Sequence, residues 1–264
     1  MKKERIRVDE HLHLMLREEG GNNDKEGILF IHGWMVSGAV WNSILPFLDT
    51  RSRRLLLPDL RGAGESDCPP GPYDIASYGT DLWRLADRLG IERLRLIGHS
   101  MGGQIALWMA GTQPNRVSAL CLICPVPPQG INLPEEAVHL FRTSAGDRQK
   151  QGTILDLACK ALPPSERERL LDDAKNTSPA CIEQSFNAWR QGGFQDQLHL
   201  IQAKAVVLAT DDPFLPPPLL NDLVVTQVKR GRLVYFPGVG HYPQCEAPQL
   251  CAAILNAFLA ATDE

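Results

Sequence analysis

No stretch of this sequence runs to about 18 apolar residues without interruption, so no membrane-spanning helix is expected. Nor is there a long basic run: 27 Lys and Arg against 31 Asp and Glu leave a formal net charge of -4. That balance argues against nucleic acid or an anionic membrane surface as the main partner. The opening residues, MKKERIRVDEHLHLML, have a charged start but no apolar h-region and no small-residue cleavage site, so no secretory leader is expected. The seven cysteines are odd in number and scattered, with neither a disulfide framework nor a paired zinc spacing. Cys121 and Cys124 do form a C-x-x-C, but inside ALCLICPV, which reads as a buried strand where free cysteines act as small hydrophobes. A reducing cytoplasm is the simplest compartment. P-loop and dinucleotide fingerprints are missing too, and no internal repeat is visible.

What is present is an ordinary globular balance: 264 residues, 44% hydrophobic and 22% charged. This suits one α/β domain, or one domain carrying an insertion. HLHLMLREEG (11–20) alternates with period two and reads as the near half of a hairpin. GILFIHG (27–33), RRLLLPDLRG (53–62), ERLRLIGHS (92–100), RVSALCLICPV (116–126), AKAVVLATDD (203–212) and GRLVYFPG (231–238) are short apolar runs of the kind buried on both faces of a parallel sheet. Between them, SYGTDLWRLADRLG (77–90), MGGQIALWMAGTQP (101–114), PPLLNDLVVTQV (217–228) and APQLCAAILNAFLAA (247–261) read as helices. Strands alternating with helices indicate a mostly parallel sheet covered on both faces, with ligands beyond the carboxyl ends of the strands. Residues about 127–200 break the alternation; three or four charged helices there predict a cap over the strand ends.

The strand ends carry a consistent set of chemical groups. In LIGHSMGG, Gly98 and Gly102 leave room for a tight strand-to-helix turn around Ser100, and Gly103 lets the helix sit close. An ordinary N-cap serine needs neither flanking glycine. The Met101 amide is a natural oxyanion donor, and the Trp34 amide, after Gly33 in LFIHGWM, is the second. His241 follows a strand and a glycine in FPGVGHYPQ and is the base that Ser100 requires. The orienting carboxylate is Asp211 or Asp212 in VVLATDDPFLPP, which completes the chain order Ser, Asp, His. His32 and His99 read as structural, and His11, His13, His139 and His199 have no chemical context.

Taken together, HGW (32–34), Trp41 in the following helix, DLRGAGES (59–66), GHSMGG (98–103), DPFLP (212–216) and GVGHYPQCEAP (238–248) make the chain resemble the α/β-hydrolase superfamily over nearly its whole length. The resemblance implies a mostly parallel central sheet flanked by helices, with a core of 1–126 and 201–264 and a helical cap at 127–200. Relatives commonly place Pro four residues after the acid, which selects Asp212 with Pro216 over Asp211. Ala209 stands where relatives often have Gly. Asp59, Arg61 and Glu65 lie in a loop that is mainly structural in relatives. A serine nucleophile, rather than an aspartate, argues against dehalogenase and epoxide hydrolase chemistry.

The expected function is thus a cofactor-free, metal-free serine hydrolase acting on a carboxylic ester, lactone or thioester. Its partner is a small-molecule substrate with an apolar acyl group, received among Trp34, Met35, Met101 and cap residues such as Leu140, Phe141, Phe186, Trp189 and Phe194. Two alternatives use the same triad: a non-hydrolytic enzyme (lyase, cyclase or perhydrolase), and a ligand receptor whose triad is slow or vestigial.

Overall fold

The short apolar runs become strands of a single eight-stranded sheet in the order β1-β2-β4-β3-β5-β6-β7-β8. They are β1 (Lys2–Asp9), β2 (Leu12–Gly20), β3 (Glu26–Ile31), β4 (Arg54–Pro58), β5 (Arg93–His99), β6 (Val117–Ile123), β7 (Lys204–Thr210) and β8 (Gly231–Phe236). The computed structural model describes residues 1–21, 25–50 and 53–262. From β4 to β8 neighbouring strands are parallel, while β1 and β2 add antiparallel pairs at one edge. β3 pairs with β4 on one side and β5 on the other. The chain thus changes direction across β3, which opens a crevice at the carboxyl ends of β3 and β5. Side chains such as Phe30, Leu96, Ile97 and Leu122 are wholly buried in the central strands, each contributing about 1.5–3 kcal/mol.

Four α-helices flank the sheet: α1 (Ile75–Arg88), α2 (Met101–Thr112), α7 (Pro217–Leu223) and α8 (Pro248–Ala260). Asp74 caps α1 through Ser77 N, and Gly90 ends it at φ 70. Between β6 and β7 come α3 (Glu135–Arg142), α4 (Arg148–Ala158), α5 (Pro164–Ala174) and α6 (Pro179–Gln191). They lean on the loops after the parallel strands. The Trp34 indole donates to Ile182 O at 2.9 Å, Asp173 accepts from Ser37 N at 2.6 Å, and Ala158 O accepts from His241 N at 2.9 Å.

Three local expectations need correction. Residues 11–20 are the far half of a hairpin, whose near half is β1. The charged, mostly exposed residues of β1 hide its Ile6–Val8 alternation and suit it to an edge. Trp41 sits in a four-residue 3-10 turn (Gly38–Trp41), not an α-helix; Pro46 then opens a second short turn. In the 217–228 segment the α-helix stops at Leu223 and passes into a 3-10 turn, Val225–Gln227. The β-branched run Val224-Val225-Thr226 disfavours its continuation.

The DLRGAGES loop, which the resemblance reads as structural, is held by ion pairs and backbone contacts. Buried Asp59 pairs with buried Arg17 and accepts from Gly38 N and Glu65 N, each at 2.9 Å. Arg61 makes a two-pronged contact with Asp81 at 2.5 and 2.6 Å, and Glu65 pairs with Lys3 at the surface. Replacing Asp59 by Ala strands the Arg17 charge and two amides, so Asp59→Ala should lose about 3–5 kcal/mol in equilibrium urea unfolding. The double variant Arg17→Met/Asp59→Ala should recover part of that loss; an equal loss in both would contradict a charge-burial origin.

Candidate active site

At the end of β5 the backbone must turn sharply into α2, and small residues make the turn feasible. A Cβ on Gly98 would stand 2.4 Å from Gly102 O, and one on Gly102 would stand 2.1 Å from Ile31 O. Within this turn Ser100 has φ 56 and ψ -120. Four hydrogen bonds hold it there: its N–H donates to Ile123 O at 3.0 Å, and its carbonyl accepts from Gly103 N, Gln104 N and Val126 N at 2.9, 3.2 and 3.1 Å. A non-glycine residue in this region costs about 1–3 kcal/mol. The side chain makes no capping hydrogen bond to the helix it precedes, so Oγ is not spent as an N-cap. Met35 and Cys124 are the other described non-glycine residues at positive φ, and both stand beside the same crevice.

Asp212 and His241, far apart in sequence, meet here. His241 Nδ1 lies 2.5 Å from Asp212 Oδ2, while Asp212 Oδ1 accepts from Phe214 N at 2.8 Å. Asp211 points elsewhere: its carboxylate accepts from Tyr235 Oη, Lys160 Nζ and Gly238 N. The Tyr235 hydroxyl, then Lys160, hold that carboxyl down at about 2. His99 is buried and donates from Nε2 to His241 O at 2.8 Å. Burial, with His241 nearby, pushes its pKa well below the ordinary value. His32 donates from Nδ1 to Gly33 O at 2.8 Å and accepts from Leu60 N at Nε2, 2.9 Å away. Burial lowers its pKa also. Both histidines are therefore neutral braces for the loops around Ser100.

Gly33 and Trp34 pass close to the serine, since a Cβ on Gly33 would lie 3.2 Å from Ser100 Cβ. The Trp34 and Met101 amide N–H groups have no acceptor among the described residues. Ser100 and His241 line one cavity of about 50 Å³, together with Trp34, Met35, Phe141, Trp189, Ile131 and Phe214 among others. Of the apolar residues suggested by sequence, Met101, Leu140, Phe186 and Phe194 are not in its wall. Phe186 instead packs behind the wall, 6.1 Å from the Trp34 ring and 5.1 Å from that of Trp189.

Donor atoms of Cys124, Asp212 and His241 lie within 4.8 Å of one another. Their chemistry does not suit a metal. The Cys124 thiol meets Thr210 Oγ1 at 3.3 Å, and burial, then the Asp212 charge, pushes its pKa well up. A metal needs the thiolate. Cys121 is plain core, with its thiol pushed up to about 12 by burial; Cys124 is more than core, since it borders the acid.

Glu246 escaped the sequence reading as a structural hub. Its buried carboxylate accepts from Gly240 N at 2.8 Å, Tyr242 N at 3.1 Å, Lys160 N at 2.9 Å and Ala161 N at 2.8 Å. The first two amides flank His241, and the last two belong to the link between α4 and α5. Gly240 permits the approach, because a Cβ there would stand 2.4 Å from Ala158 O. Residues 158–161 thus form a strap bound to the His241 loop, and Lys160 carries it on to Asp211 at 2.9 Å.

Residues 27–248 match the family profile described as the alpha/beta hydrolase fold. A non-heme haloperoxidase of Rhodococcus erythropolis is 30% identical over 241 residues, covering 81% of this chain and 85% of that protein. A bromoperoxidase structure from Bacillus anthracis superposes with a TM-score of 0.89 at 19% identity, over 98% of this chain and 100% of that one. An esterase structure from Exiguobacterium antarcticum gives 0.85 at 20% identity, over 96% of each chain.

The two neutral histidines carry a pH consequence. Below the ordinary histidine value of 6.5, the unfolded chain binds protons there that the folded chain does not. Stability present above pH 6.5 is therefore lost as the pH falls, by about 1.4 kcal/mol per pH unit for each such residue. Urea midpoints between pH 7.5 and 5 should fall less steeply for His99→Gln than for the parent; parallel slopes would contradict the assignment.

Proposed function

The chain belongs to the alpha/beta hydrolase fold family, and on that premise we propose that it is a serine hydrolase cleaving a carboxylic ester, lactone or thioester through an acyl-enzyme. The observation that carries this reading is His241, held 2.5 Å from Asp212 and lining the same cavity as Ser100, whose hydroxyl makes no capping hydrogen bond. His241 takes the Ser100 proton at Nε2 as Oγ attacks the carbonyl carbon. Asp212 holds the Nδ1–H and stabilises the imidazolium. The oxyanion rests on the Trp34 and Met101 amides, each worth about 2.7–4 kcal/mol in comparable sites. His241 returns its proton to the leaving alcohol or thiol, then activates the water that releases the acid and regenerates Ser100. This chemistry draws on no cofactor. Residues 127–200 act as the cap that excludes water, and seven unpaired cysteines fit a reducing cytoplasm. Glu246 acts through His241 as a positioning residue.

A second reading is favoured by the likeness to a haloperoxidase. If hydrogen peroxide replaces water, its oxygen attacks the acyl carbon, Ser100 Oγ leaves with a proton from His241, and the product is a peracid. The two readings share the acyl-enzyme and differ only in the second nucleophile.

A fluorophosphonate probe should label Ser100, and p-nitrophenyl esters should be turned over repeatedly. Ser100→Ala should remove about six orders of magnitude in kcat and Asp212→Asn about four. Labelling with a single turnover would favour the receptor reading, and peracid formed from ester plus peroxide would favour perhydrolysis. No labelling of folded protein would overturn the nucleophile.

Glu246→Gln places an amide N–H₂ against donors. It should lower kcat by about 10–100-fold, the size of effect seen when the hydrogen-bond partner of a metal-ligating side chain is lost, with KM nearly unchanged. A rise in KM alone would place Glu246 at the substrate instead.

A further inference from the structure

The space beside Ser100 is narrow. At about 50 Å³ it has room for roughly three or four water-sized groups, which an acetyl or propionyl group fills. Anything longer extends past this space, and the sides that border it are unequal. On the α4 side, Ala158 is part of the lining, and the strap that follows it is pinned to the His241 loop by the Glu246 carboxylate and by His241 N. Opening there would displace the base.

The other wall is Ile131 and Phe214. These two side chains line the cavity and also line an outer groove of about 480 Å³. Both are only partly buried. The Phe214 backbone is held by Asp212 Oδ1, and its ring rests edge-on against Phe141 at 5.8 Å. The contact with the acid is thus made by the Phe214 backbone and not by its ring. Beyond it the groove continues over Pro213, Pro216, Leu219 and Leu223, with Gln129 and Asn132 on the facing side and no charged residue in its lining. An uncharged apolar chain suits that surface; a carboxylate or ammonium does not.

We propose that this groove is the distal acyl subsite, so that the substrate is an ester or thioester with an apolar acyl chain of about six carbons or more. The first carbons fill the cavity and the rest pass between Ile131 and Phe214. The acyl part is the occupant because it stays on the protein after the alcohol departs, and an apolar groove next to Ser100 holds it for the second step. This inference rests on the acyl-enzyme reading above.

The test is a p-nitrophenyl ester series from two to twelve acyl carbons, run with the parent, Leu219→Asp and, should that variant fold poorly, Leu223→Asp. In the parent, kcat/KM should rise by about two- to fourfold for each methylene that reaches the groove. In the variants it should fall at least tenfold for the ten-carbon ester while the acetate changes less than twofold. Equal losses on both esters, or no rise with length in the parent, would overturn the subsite. A loss confined to a series of long-chain alkyl acetates would assign the groove to the alcohol and overturn it as well. Binding without chemistry separates this from failure of the hydrolase reading. In a Ser100→Ala background, methyl decanoate should quench tryptophan fluorescence at lower concentration than methyl acetate, and Leu219→Asp should abolish the difference. That result would support the subsite even if no ester were turned over, and its absence would count against it.

Discussion

Ser100 occupies a backbone conformation that an L-residue keeps only under constraint, and the centre of the molecule supplies that constraint. β6 takes its N–H, the first turn of α2 and Val126 donate to its carbonyl, and the carbonyls ending β3 leave no room for a side chain at Gly102. The geometry matters because of the alternative. A serine in extended conformation before a helix turns its hydroxyl back onto the first amides and caps them. At φ 56 the hydroxyl is turned away and the helix end is left open toward the cavity. The strain of the turn and the availability of the hydroxyl are two aspects of one arrangement.

Two buried carboxylates organise the loops around it, in parallel fashion. Asp59 gathers Arg17, Gly38 and Glu65 below the Trp34 loop, and Glu246 gathers Gly240, Tyr242, Lys160 and Ala161 around the His241 loop. Each anion is surrounded by donors, which is what makes its burial tolerable. Glu246 differs in one respect: two of its donors come from the helical segment between β6 and β7. The base is thus fastened to the helices that lie over it.

Much of this was legible from residue patterns. Period-two and short apolar runs located seven of the eight strands, and glycine spacing located the turn around Ser100. The family resemblance, through Pro216 four residues on, favoured Asp212 over its neighbour, and Asp211 faces Tyr235 and Lys160. β1 escaped because its edge position fills it with charge. The helix expected at Trp41 failed because a turn capped by Ser37 and a nearby Pro46 satisfies the same apolar pattern in fewer residues. The cavity wall was half right, since helical periodicity marks which side chains are buried but not which of two buried faces they line.

The alternation of strands and helices from β2 onward, the sharp turn at Ser100 and the candidate His241 were legible in the sequence alone, because each follows from local spacing and steric need, while the choice of Asp212 over Asp211 rested on the family resemblance. The positive φ of Met35 and Cys124, the hub at Glu246, the strap at 158–161 and the wall shared by two spaces were decided only by the tertiary structure. They consist of side chains meeting backbone amides and cavities dozens of residues away. A hydrogen bond of that kind leaves no periodicity in the sequence; it exists only once the chain has brought its two ends together.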